Sequence, residues 1–183
     1  MRSAVLLAAL ALLATPAASP ARSAGNAFTL KLSYTETYEG KGSNTVVGVR
    51  GKGTISLAVA GPKTKSVPYA ALAKGLPYTT RYDLLAVGGW RGLIVVKLAR
   101  GSLCASITAK FGKYVSGFPP TTGTFEAVGG TGDGATLRLA GTYHLTDIET
   151  VNDVDMLTGK GTLTAAAGAP KALTKVCVAA SKS

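Results

Sequence analysis

The chain has 183 residues, a formal net charge of +11, 23 glycines, and only 16% charged and 7% aromatic residues. That length suits one domain with a usable core. Beyond the N-terminal leader no stretch is long and apolar enough to cross a bilayer as a helix, which takes roughly 20 residues. Past the leader the basic residues are spread from Arg22 to Lys182 without a dense run, and the aromatic–basic interleaving of a nucleic-acid stacking surface is missing. With export, this argues against nucleic acid as a partner.

Met1-Arg2 opens with a positive charge, and Ala4 to Ala14 is an apolar run too short to span a membrane. Small residues and two prolines follow, and Ser19-Pro20-Ala21 suits signal-peptidase cleavage after Ala21, with Ala17 as a second site. Residues 1–21 are therefore expected to be a signal peptide and 22–183 one exported domain, at the cell envelope or outside the cell. An uncleaved anchor or a buried helix is the alternative.

Phe28, Leu30, Leu32 and Tyr34 alternate with polar residues, which is the period-two pattern of a half-buried strand. The same face continues to Glu36 and Tyr38. After a turn at Glu39 to Asn44, alternation resumes at Val47 and Val49. Gly51-Lys52-Gly53 interrupts it as a bulge or bend, and Ile55, Leu57 and Val59 complete the strand. One helical turn is expected from Tyr69 to Lys74, closed by Gly75. Strands then follow at Thr79 to Val87, Leu93 to Ala99 and Leu103 to Phe111, separated by turns at Gly88–Gly92 and Gly101. A Pro/Gly loop leads to Gly123-Thr124-Phe125. Further strands are expected at Gly141–Ile148, Gly159–Ala166 and Thr174–Ala179. Roughly eight to ten short strands at this spacing predict an all-β sandwich or barrel.

Cys104 and Cys177 form an even pair in an exported chain, which favours one disulfide. Each alternates with polar neighbours, so both are expected on the outer faces of adjacent strands.

Gly123-Thr124-Phe125 leads to Gly129-Gly130-Thr131-Gly132, a short segment, and then Gly141-Thr142-Tyr143; Gly159-Lys160-Gly161-Thr162 follows later. This order resembles the allene oxide cyclase and dirigent-like β-barrel group, in particular its secreted bacterial members. The group often has an aromatic soon after Gly-Thr-Gly; here Asp133-Gly134-Ala135 follows directly. The resemblance implies a single antiparallel β-barrel of about eight strands with a cavity open at one end, and a homo-oligomer, since plant relatives are commonly trimeric. It also implies isomerase or cyclase chemistry, but no catalytic residue of the group can be matched to a position here.

Glu36 is the candidate catalytic acid or base, because a carboxylate on the face of Tyr34 would sit near the core. The alternative is that the strand leaves the core at Tyr34 and Glu36 reaches water. Tyr34, Tyr82, Trp90 and Tyr143 are the candidate ligand-facing aromatics, with core or rim packing as the alternative. His144 is expected to face outward. Asp147, Glu149, Asp153 and Asp155 are expected in a solvated hairpin rather than a calcium site, as their order is not that of an EF-hand. No metal-ligand spacing and no cofactor motif is present. The leading functional expectation is a binder of a small apolar ligand in the barrel interior. The alternatives are an isomerase or cyclase on a reactive apolar substrate, and a cell-envelope structural or adhesion protein using its basic surface.

Overall fold

The computed structural model describes residues 28–38, 48–60, 71–85, 88–113, 120–151 and 154–180. Within β1 and a few other strand segments (58–60, 148, 150–151, 154–155), the description covers the backbone alone. The expected leader at 1–21 and the acidic tip at Asn152-Asp153 lie outside the described residues.

Eight strands run in chain order: β1 Phe28–Tyr38, β2 Val49–Ala60, β3 Leu76–Leu84, β4 Gly89–Leu98, β5 Gly101–Phe111, β6 Thr121–Gly132, β7 Leu137–Val151 and β8 Val154–Ala167. Each pairs antiparallel with its sequence neighbours, and β1 also pairs antiparallel with β8, from Phe28↔Ala165 to Tyr38↔Asp155. The protein is therefore a mostly antiparallel β structure that curls around one apolar core.

The period-two pattern puts alternate residues on that core. Ile55 and Leu57 of β2, Tyr78 and Tyr82 of β3, Ile94 and Val96 of β4, and Leu103 and Ile107 of β5 are all buried there. Burying a side chain of this size contributes about 2 kcal/mol before entropy is counted. The opposite faces carry exposed residues such as Arg50, Lys52, Lys97, Thr108 and Lys110. The expected interruption at Gly51-Lys52-Gly53 is absent: β2 runs through it in unbroken register with both neighbours.

The β6–β7 ladder is short, from Thr122↔His144 to Glu126↔Ala140. Beyond it the strands part, and α1 (Asp133–Thr136), a single helical turn, fills the gap with the segment after β8. Gly130 N–H donates to Lys171 O, Lys171 N–H to Ala135 O, and Gly168 N–H to Thr136 O. The glycine-rich stretch therefore serves close backbone approach. A Cβ on Gly129 would overlap Ala172 O, and one on Gly134 would overlap Ser102 O. Arg100 holds Asp133 at the start of this turn by two hydrogen bonds of 3.1 and 3.0 Å.

The expectation for the C-terminal segment is corrected as well. Residues 174–179 are not a strand: α2 spans Lys175–Ala180 and lies against the outside of β3 and β4. Thr174 caps it, its Oγ1 accepting from Cys177 N–H at 3.3 Å and its carbonyl from Val178 N–H at 3.0 Å. Cys177 and Ala180 share one side of α2 and, with Leu173 just before the helix, pack on Val95, Cys104, Leu93 and Val128 as a second, outer core. The disulfide joins Cys104 on β5 to Cys177 on α2, with Cα atoms 6.0 Å apart. The two cysteines do pair, but across a strand and a helix, and both are fully buried rather than solvent-facing.

Candidate functional site

The inner face differs between its two halves. Val96, Leu103, Leu139 and Leu163 are 0–1% exposed and form an aliphatic floor, loosening only at Leu76 and Leu98 near strand ends. Toward the other end stand Tyr82, Trp90, Ile107, Tyr143 and Leu157 at 6–8%, with Leu84 beyond them at 37%. The large aromatic side chains therefore gather toward one end, above the aliphatic floor.

Three of the sequence candidates meet there. The Tyr82 and Trp90 rings have centroids 6.0 Å apart, and Phe111 meets Trp90 edge-on at 5.5 Å. Trp90 Nε1–H donates to Tyr143 Oη at 3.1 Å, and Tyr143 Oη–H donates to the Thr108 carbonyl at 3.1 Å. These bonds use the polar tips of both side chains, and the rest of each ring presents an apolar surface. Among the described residues no buried side-chain polar atom lacks a partner.

Glycines make room for these rings. Tyr143 pairs with Gly123 on β6 and with Gly161 on β8, and Tyr82 pairs with Gly92 on β4. A Cβ on Gly123 would overlap the Tyr143 ring, and one on Gly161 or Gly92 would overlap the partner tyrosine's Cα and Cβ. The glycine positions continue on either side of β1. Gly53 stands opposite Glu36, Gly51 opposite Tyr38, and Gly159 opposite Tyr34. For Tyr34 and Glu36 the description ends at this register. Tyr34 is flanked by Ile55 and Gly159, and Glu36 by Gly53 and Leu157. Tyr82, Trp90 and Tyr143 thus share one end of the inner face, and Glu36 is flanked by Leu157 of that end, whereas Tyr34 stands beside Ile55, which pairs in turn with Leu76.

The remaining candidates lie elsewhere. His144 is exposed, between Thr122 and Lys160 on the outer face. Asp147 and Glu149 are exposed as well, and among the described residues no group of three or more His, Cys, Asp or Glu could hold a metal ion. No helix among them is long and apolar enough to cross a membrane.

Gly51 and Gly53, expected as a bulge or bend, and Gly92, expected in a turn, lie within strands. The signal that could have placed them is alternation itself. Gly51 and Gly53 continue the phase of Val49 and Ile55, and Gly159 and Gly161 that of Leu157 and Leu163. A scan against family models found no matching family, and searches of curated proteins and of solved structures found no match either.

Proposed function

We propose that the sheet closes as an eight-stranded antiparallel barrel of an exported protein that binds a small apolar ligand in its aromatic half. Closure is supported by β1, which has ladders on both sides. Export is supported by the leader pattern at residues 1–21 and is compatible with the disulfide. The observation that carries the binding reading is the glycine-lined, aromatic half of the inner face. The glycines seat the rings of Tyr82 and Tyr143 close against the sheet, and a barrel of eight strands can hold one small ligand beside them. Because the Trp90 and Tyr143 tips are already bonded to protein, the described wall selects for shape and apolar surface rather than for charge.

The test is native mass spectrometry of the exported, unreduced protein after incubation with an extract of cell lipids and metabolites. One added mass per chain, from an apolar compound below drug size, is the expected result. A clean apo mass across the whole extract would overturn the reading. A second reading, an isomerase or cyclase, is favoured by the place of Glu36 in β1 between Gly53 and Leu157. It requires that the captured compound be converted and that Glu36→Gln stop the conversion while the compound still binds.

A further inference from the structure

On the outside of the sheet, α2 and strands β3 and β4 enclose a groove of about 500 Å³. Its walls carry Arg81 and Asp83 from β3, Arg91 from β4 and Lys175 from α2, around the apolar surface of Leu93 and Val176. Arg50 extends the positive charge, because it stands directly opposite Arg81 in the β2–β3 ladder. Like charges placed opposite one another cost a sheet stability. Asp83, the one carboxylate in the groove wall, already accepts the Gly48 N–H at 2.8 Å. Arg50, Arg81, Arg91 and Lys175 make no ion pair among the described residues; the pair that is seen, Arg100–Asp133, is elsewhere. Val176 is 64% exposed in the midst of these cations.

We propose that this groove docks the protein on an anionic phospholipid bilayer, with lipid phosphates on Arg81, Arg91 and Lys175 and Val176 entering the interface. Both halves of the surface argue for that occupant. A soluble acidic polymer would engage the cations and leave Val176 in water. A bilayer surface offers anionic phosphate and an apolar layer within one side chain's reach, and basic groups beside exposed apolar ones bind it through both. The disulfide holds α2 as one wall of the groove, so the surface persists in an oxidising compartment. The charged groups invoked from the sheet stand on the exposed face of β3 and β4, opposite to the buried Tyr82 and Trp90.

The test is co-sedimentation of the exported protein with vesicles of phosphatidylglycerol and phosphatidylcholine, against vesicles of phosphatidylcholine alone. Binding is expected only to the anionic vesicles and to weaken as salt rises. At about fivefold per basic group at an anionic surface, Arg81→Gln with Arg91→Gln should reduce it about 25-fold. Val176→Ser should reduce it several-fold with the charge unchanged. All these side chains are exposed, so the variants should melt no lower than the parent, and the arginine variant slightly higher as the Arg50–Arg81 repulsion is relieved. Equal binding to both vesicle types, no binding to either, or unchanged binding by the arginine variant would overturn the proposal. So would unchanged binding by Val176→Ser together with equal affinity for soluble polyphosphate, which would make the occupant an acidic polymer.

Discussion

Replacing Cys104 and Cys177 together by alanine should lower the thermal midpoint by about 10 °C. The bridge spans a sequence separation of 73 residues. In the chain-entropy account, a cross-link over a loop of that length stabilises by about 4 kcal/mol. For a domain of this size each kcal/mol moves the midpoint by about 2–4 °C. The loss should have a second, local part. Cys177 and Ala180 are the fully buried residues of α2, and Thr79 Oγ1–H also ties it to the sheet, donating to Ala180 O at 3.0 Å. Without the bridge, amide exchange across 175–180 should rise far more than across β4 and β5. Alanine avoids burying new hydroxyls where the sulfurs were. Calorimetry of the unreduced parent and the double variant decides the point. A midpoint within 2 °C of the parent would mean that the outer core holds α2 unaided.

Gly123→Val should destabilise by about 3 kcal/mol or more, a large effect for one residue on a strand. The clash arises at Cβ, so no rotamer relieves it: that atom would overlap both the Thr108 carbonyl and the Tyr143 ring. Thr108 O is also the acceptor for Tyr143 Oη–H, so moving either group disturbs the bond chain to Trp90. Thr124→Val, one residue on and exposed, loses the 2.7 Å hydrogen bond between the Thr124 and Thr108 hydroxyls and should cost no more than about 1 kcal/mol. Urea unfolding of the two variants provides the comparison. Equal midpoints would show that the inner glycines are not needed to seat Tyr143.

The same residues show what the sequence could and could not reveal. Strands were legible where apolar residues alternate, as in Ile55–Leu57 and Leu103–Ile107, because one buried face imposes period two. The site was legible only as a set of aromatics. That Tyr143 lies between Gly123 and Gly161, or that Trp90 reaches Tyr143, depends on strand register, and register joins residues far apart in sequence. Glycine carries two meanings, turn and close packing, and composition does not separate them. The outer helix was hidden for a related reason. Val176 and Val178 favour a strand, and six residues are too few for periodicity to prevail. Thr174 as a cap and the 173, 177, 180 spacing were the available helical signals.

Trp90 is the sole tryptophan, so its indole N–H gives one resolved nuclear magnetic resonance signal from the middle of the aromatic half. Titrating the unreduced protein with the compound recovered by mass spectrometry, while following that resonance, tests the binding site directly. The account predicts a saturable shift of the Trp90 signal at one equivalent, as the compound packs against the ring held by Tyr143. A signal that stays fixed while the compound binds at saturation would place the ligand elsewhere and contradict the account.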